Sequence, residues 1–372
     1  MSSSTIRTAV IGYGLAGKVF HCPFVHAVPG LELSAIVVKS PDRSAAAAAA
    51  YPDARILATP EEVFADPTID LIVIGTPNDS HFTLAHAALT AGKHVVVDKP
   101  LTTSSAEART LIDLAKSKNK ILAPFHNRRY DNDFLTVHKL KDEGILGRIT
   151  QVIAHFDRFR PLVRPNTWKE SGPFNGLLFD LGPHLVDQAL ALFGPPARVT
   201  AVLHEDRDIT DIEDYIAITF EYDLTLPDGT PRTLSYECHA TMLAADPAPR
   251  FRVHGTLGSY VKVGLDPQES ALLHKGARPP QMGSQEPWLP EPESAWGTLT
   301  LGTKLTEPVE LSRNPYPSVT GDYRLYYANV RDAINGTAPL AIPAEDGYRV
   351  VRLLELARES STQKRTLPIT FD

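Results

Sequence analysis

The feature that most constrains this 372-residue chain is a glycine turn set between a strand and a helix. Ile6 to Ile11 reads as a short buried strand, Gly12-Tyr13-Gly14-Leu15-Ala16-Gly17 follows at once, and Lys18 to Val28 can form a helix. In that order the glycines take separate roles: Gly12 allows a tight turn, Gly14 lets a pyrophosphate approach the backbone, and Gly17 lets the helix pack close to the strand. The N–H groups opening the helix then face the phosphates of a dinucleotide.

The same alternation continues. Strands are expected at Leu31–Val38, Asp70–Gly75, His94–Val97 and Ile121–Phe125, with helices at Arg43–Ala50, Ser80–Ala91 and Ser104–Lys118. Strands interleaved with helices imply right-handed βαβ units and a parallel sheet. The alanine run 45–50 reflects helix propensity. Val95-Val96-Val97 reads as a strand buried on both faces, yet it runs straight into Asp98-Lys99-Pro100. A charged pair at the carboxyl end of a parallel strand stands where open α/β sheets bind ligands; the alternative is a solvated strand end. At the same edge lies Thr76-Pro77-Asn78-Asp79-Ser80-His81. Pro77 ends a strand and Asp79 or Ser80 can cap a helix, whereas Asn78 and His81 have less structural need to be there and are placed to meet a nicotinamide ribose.

The end of the second strand bears on the cofactor. An NAD site usually carries a carboxylate there for the ribose 2′-hydroxyl. This chain has Val38-Lys39-Ser40 with Arg43 just beyond, and Glu32 at the wrong end of the strand. Two cations and a hydroxyl favour a 2′-phosphate, hence NADP over NAD, unless Lys39 and Arg43 are only surface charges.

After Phe125 the pattern changes. A helix Phe134–Glu143 ends at Gly144 and Gly147, and strands follow at Ile149–Phe159, Val199–His204, Tyr215–Tyr222, Thr233–Met242, Phe251–His254 and Ser259–Val263. Pro227-Asp228-Gly229 is a hairpin signal. Residues 265–316 look like a long surface excursion, and helices at Asp322–Asn335 and Ala344–Ser361 close the chain. The fold class is therefore α/β then α+β, with a Rossmann domain over residues 1–126 and a largely antiparallel open sheet over residues 127–372. One helix interrupts that sheet domain. In it Asp180 and His184 are four residues apart, which places a carboxylate beside an imidazole on one helical face. An exposed ion pair is the alternative, and Pro183 should kink the helix or mark its start.

A net charge of −7 argues against a nucleic-acid partner. Cys22 and Cys238 have no metal spacing and cannot form a disulfide framework, so reduced thiols and a cytoplasmic setting are expected, with no bound metal. No signal peptide and no membrane span is visible.

Together these pieces resemble the glucose–fructose oxidoreductase / inositol dehydrogenase / MocA (Gfo/Idh/MocA) family over essentially the whole chain. The resemblance rests on Gly12-x-Gly14-x-x-Gly17, on Asp98-Lys99-Pro100, which looks like the family's Glu-Lys-Pro, and on Asp180…His184. The strings Gly12–His21 and His155-Phe156-Asp157-Arg158-Phe159-Arg160-Pro161 look like the branch of NADP-dependent scyllo-inositol dehydrogenases. The resemblance implies that Lys99 holds the reacting hydroxyl beside the nicotinamide, that His184 is the general acid/base, and that Asp180 orients it or binds a substrate hydroxyl. The implied activity is reversible oxidation of a ring hydroxyl of a cyclic polyol or sugar, such as an inositol or aldose. Asp98 departs from the usual Glu by one methylene. Substrate contacts are expected from Asn127, Arg158 and Trp168, and also from His155 and Tyr323. Arg158 serves equally as an interdomain salt bridge, Trp168 as a loop anchor, and Tyr323 as core. Two other classes share the fold: a non-catalytic NADP-sensing regulator and a redox-assisted glycosidase. The open face of the second sheet leads us to expect a homodimer or homotetramer through it.

Overall fold

The computed structural model describes residues 5–165, 167–286 and 288–371. Contacts divide the chain into two compact units. The first comprises Met1–Asn127, Glu269–Trp288 and Asp322–Val351; the second comprises Arg128–Gln268, Leu289–Gly321 and Arg352–Asp372.

The first unit is built on a six-stranded, wholly parallel sheet. Its strands are β1 (Ile6–Ile11), β2 (Leu31–Val37), β3 (Arg55–Leu57), β4 (Leu71–Ile74), β5 (His94–Val97) and β6 (Leu122–Pro124), in the order β3-β2-β1-β4-β5-β6. This is the doubly wound arrangement, whose strand order reverses beside β1 and opens a crevice at the carboxyl edge. Val95, Val96 and Val97 are fully buried, as a central strand covered on both faces requires. Each such side chain contributes about 1.5–3 kcal/mol by leaving water. The helices are α1 (Cys22–Ala27), α2 (Pro41–Ala50), α3 (Pro60–Ala65), α4 (His81–Thr90) and α5 (Ser105–Ser117).

Two details differ from the expected elements. The helix after the glycine turn opens as a π-helix, Ala16–His21, before α1 begins. Pro23 has no N–H for an α-type bond, and the bond from Cys22 N–H reaches back to the Gly17 carbonyl. Strand β3 and helix α3 were not expected, because each is short. Yet Thr59 and Glu62 form a capping box with Pro60 at the helix start, a signal present in the sequence.

The second unit holds helix α6 (Asn132–Asp142) and strand β7 (Ile149–His155), then α7 (Leu177–Asp180) and α8 (Gly182–Phe193). Next come β8 (Arg198–His204), β9 (Tyr215–Thr225), β10 (Pro231–Thr241), β11 (Phe251–Gly255), β12 (Gly258–Lys262), helix α9 (Pro267–His274), β13 (Gly297–Lys304) and β14 (Glu310–Tyr316). Of the later helices, most of α9 and all of α10 (Arg324–Ile334) belong to the first unit, whereas α11 (Ala344–Gln363) is divided between the two at Val351, and a last short strand, β15 (Leu367–Pro368), belongs to the second. Nine strands form one sheet, β14-β13-β12-β11-β7-β10-β9-β8-β15, antiparallel except for the β7–β10 pair. In β9, Ile216, Ile218, Phe220 and Tyr222 are buried while the residues between them are not, which is the alternation of a sheet with one covered face.

The stretch expected to be an excursion is in fact partly ordered as α9, β13 and β14. Strand β14 is largely exposed, lies at the sheet's edge and carries Pro315, which an edge strand tolerates because its N–H is not needed there.

Candidate active site

In the first unit the glycine turn is dictated by contact. Gly12 adopts φ +99°, and a Cβ on it would lie 2.6 Å from the Gly75 carbonyl oxygen. A Cβ on Gly17 would lie 1.9 Å from the Gly12 carbonyl oxygen, so only glycine fits. Gly14 is different: a Cβ there would meet only the Arg43 guanidinium, 3.9 Å away. The turn thus leaves an open cradle at Gly14 with a cation beside it, which fits a dinucleotide's phosphates. The Tyr13 ring turns into the core against Tyr51, and Ala16 lies half-buried behind an exposed Leu15. Lys39 and Arg43 are exposed beyond β2, and Ser40 precedes α2 without spending its hydroxyl on a helix cap.

The loops after β4 and β5 are tied together by His81. Its ring is fully buried, with Nδ1 2.8 Å from the Pro100 carbonyl and Nε2 2.9 Å from the Thr76 carbonyl. Both nitrogens face loop carbonyls, so the ring sits between the two loops, donating to one of them when neutral, rather than offering an atom to a ribose. Burial lowers its pKa, opposed chiefly by the Asp98 charge. Asn78 is buried in the same loop, the Thr76 and Ser80 hydroxyls lie 2.6 Å apart, and Pro77 is exposed.

Asp98 is held from beneath by a residue that sequence reasoning missed. His21, at the end of the π-helix, places Nε2 3.7 Å from the Asp98 carboxylate and Nδ1 2.7 Å from the Tyr327 hydroxyl. Burial pushes the Asp98 carboxyl up, but His21, Lys99 and His81 outweigh it and hold it at about 2. Asp98 also accepts the Lys99 N–H at 2.8 Å. It is thus an ionised strut at the end of β5, and half-buried Lys99 follows it at the carboxyl edge. A Cβ on Gly75 would come 2.8 Å from the His21 ring, so that glycine makes room for the strut.

In the second unit Asp180 and His184 lie four apart but not on one continuous helix, because Pro183 marks a helix start, one of the two outcomes expected of it. Helix α7 ends at Asp180, and α8 starts at Gly182 with Pro183 in its first turn, where a missing N–H is harmless. The His184 N–H reaches the Leu181 carbonyl at 3.1 Å, and its buried ring lies over Phe156 at 6.3 Å. The Asp180 carboxylate meets Arg158 at 3.3 Å and Lys169 at 3.1 Å. Arg158 is therefore paired within the unit, with Asp180 itself. Lys169 was not anticipated; no periodicity in the sequence marks it.

The remaining expected contacts fall in three places. Trp168 is 41% exposed, next to Lys169, whose ammonium lies 5.5 Å from its ring. Asn127 is buried in a single 3-10 turn, Asn127–Tyr130. His155 and Tyr323 are not brought to the site. His155 lies on the sheet face opposite Phe156, stacked on His239 at 4.8 Å and bonded to Asp157 at 3.1 Å. Strand alternation puts it there: Ala154 and Phe156 are buried and His155 between them is not. Tyr323 is fully buried against Phe24 and Phe20, which makes it core.

Among the described residues no helix is long and apolar enough to cross a membrane, and no cluster of side chains is arranged to hold a metal ion.

Comparison with known proteins agrees with this architecture. Residues 6–126 match a family model described as an oxidoreductase family with an NAD-binding Rossmann fold, and residues 139–370 match that family's C-terminal alpha/beta domain. The uncharacterized oxidoreductase YdgJ of Escherichia coli is 44% identical over 98% of this chain and 99% of its own. The scyllo-inositol 2-dehydrogenase (NADP(+)) IolW of Bacillus subtilis is 36% identical over 98% and 96%. The structure of the oxidoreductase yvaA from Bacillus subtilis matches with a TM-score of 0.90 at 34% identity, covering 100% of both chains. With both halves matched in order, the chain belongs to the Gfo/Idh/MocA oxidoreductase family.

Proposed function

We propose that this oxidoreductase is an NADP-dependent dehydrogenase that reversibly oxidises one ring hydroxyl of a cyclic polyol or sugar. The observation that carries the cofactor reading is Arg43 beside Gly14, with Lys39 just past the carboxyl end of a strand whose one carboxylate, Glu32, lies at the opposite end. The similarity to an NADP-dependent scyllo-inositol 2-dehydrogenase supports the substrate class.

Backbone N–H groups of the Gly12–Gly17 turn bind the phosphates, and Lys39, Ser40 and Arg43 bind the 2′-phosphate. The bound nicotinamide supplies hydride acceptance and donation. Alcohol oxidation also requires loss of the hydroxyl proton. The Lys99 ammonium stabilises the developing negative charge on that oxygen. His184 takes the proton during oxidation and returns it during reduction. Asp180 accepts a hydrogen bond from a substrate hydroxyl and orients the ring. Asp98 and His81 keep the Lys99 strand end in one geometry. We further propose that Asn127 and Trp168 contact the substrate, and that the protein works in the cytoplasm as a homodimer or homotetramer.

Replacing Lys39 and Arg43 together with Ala should lower kcat/KM for NADP by about 10- to 100-fold, the loss of one or two charge-assisted contacts. The value for NAD should change little, because both side chains are exposed and neither supports the fold. An unchanged NADP/NAD ratio from steady-state kinetics would assign both cations to the surface. Tight NADP binding with no turnover of any sugar or inositol would point instead to a sensing role.

A further inference from the structure

We propose that Lys169 is a positioning residue for Asp180, and that a buried ion network built around Arg207 holds it in place for that task. This rests on Asp180 belonging to the active site. The Asp180 carboxylate is gripped on both oxygens: Arg158 bonds Oδ2 at 3.3 Å, and Lys169 bonds Oδ1 at 3.1 Å. One cation would neutralise the carboxylate. A second, on the other oxygen, fixes the plane of the group while leaving each oxygen able to accept a further hydrogen bond. Such a carboxylate is a rigid hydrogen-bond acceptor, suited to selecting one orientation of a polyol ring.

The turn that carries Lys169 is anchored from below. Trp168–Glu170 is a single 3-10 turn capped by the Thr167 hydroxyl. Glu170 accepts from Arg207 at 2.8 Å and from Arg164 at 3.3 Å. Arg207, whose side chain is only 1% exposed, also bonds Asp214 at 2.6 Å. Asp214 in turn accepts the backbone N–H groups of Asp206 and Arg207. Burial alone would raise the Glu170 carboxyl, but Arg207 and Arg164 hold it below the ordinary glutamate range. The charges beneath the turn are thereby satisfied among themselves. The Lys169 ammonium, on the neighbouring residue, is directed to Asp180, and both line one small surface cleft with Arg207 and Glu213.

Three variants test this: K169M, K169R and D180N, with the K169M/D180N double. In urea unfolding, K169M should lower the midpoint in the wild-type background and have no further effect in D180N, since its partner is already lost. With NADP and scyllo-inositol, K169M should lower kcat and raise the polyol KM, together costing about tenfold or more in kcat/KM, while the NADP KM is unchanged. K169R should restore kcat/KM to within about threefold, because a guanidinium can reach the same oxygen. Additive unfolding shifts overturn the proposal whatever the activity, and so does a K169M enzyme with wild-type kcat and KM. A wild-type protein that oxidises no polyol overturns the proposed reaction instead, and the unfolding cycle then decides the clamp on its own.

Discussion

Lys99→Ala is expected to lower kcat for polyol oxidation by about 10²- to 10³-fold, the usual cost of removing one group that stabilises a developing oxyanion. NADP affinity should stay within about threefold of wild type. The separation follows from where the residue sits. Val95, Val96 and Val97 are fully buried and fix the strand without help from Lys99, and Asp98 is braced by His21 rather than by the lysine alone. Truncation at the strand's end therefore removes an ammonium and leaves the sheet intact. Lys99→Arg should recover only part of the rate, because a planar guanidinium cannot place its charge where a compact ammonium does. Steady-state kinetics with a parallel cofactor titration checks this, and unchanged turnover would remove Lys99 from the chemistry.

The second large effect separates two glycines of one turn. Gly17→Ala puts a Cβ 1.9 Å from the Gly12 carbonyl oxygen, a clash with backbone that no rotamer relieves. Overpacking of this kind costs about 1–3 kcal/mol or more, so the unfolding midpoint should fall and NADP binding with it. Gly14→Ala meets nothing closer than the Arg43 guanidinium at 3.9 Å. It should fold with an unchanged Tm, yet bind NADP at least tenfold more weakly, because the new methyl group occupies the phosphate cradle. Thermal unfolding and calorimetric titration read the two effects separately. A Gly14→Ala protein that binds NADP like wild type would take the glycine turn out of cofactor recognition.

What the sequence made legible follows the range of the interactions involved. The glycine turn, the alternating strands and helices, and the Asp98-Lys99 strand end are local patterns, and each could be read from a few consecutive residues. The bracing of Asp98 could not. His21 contacts it from the π-helix, and Tyr327 contacts His21 from 306 residues further on. No spacing rule links those positions. Lys169 is likewise marked only by the folded turn that delivers it to Asp180. Asp180 and His184 show two local signals at odds: their spacing implied one helical face, while Pro183 marked a helix start between them, and the structure follows the proline. His155 shows how much one residue matters in a strand, since its neighbour Phe156 packs on His184 and His155 faces the other way. Strands β13 and β14 escaped because neither buries a clear apolar face: β14 is an exposed edge, and β13 beside it is mostly half-buried, so both carry little hydrophobic contrast.

The central claim is hydride transfer from a ring carbon to NADP, and isotope transfer tests it most directly. Scyllo-inositol deuterated at its ring carbons, incubated with wild-type protein and NADP, should give reduced cofactor carrying one deuterium on the nicotinamide, and the Lys99→Ala protein should give at least a hundredfold less in the same time. A panel of deuterated inositols and aldoses that binds the protein but leaves no deuterium on the nicotinamide would contradict the account.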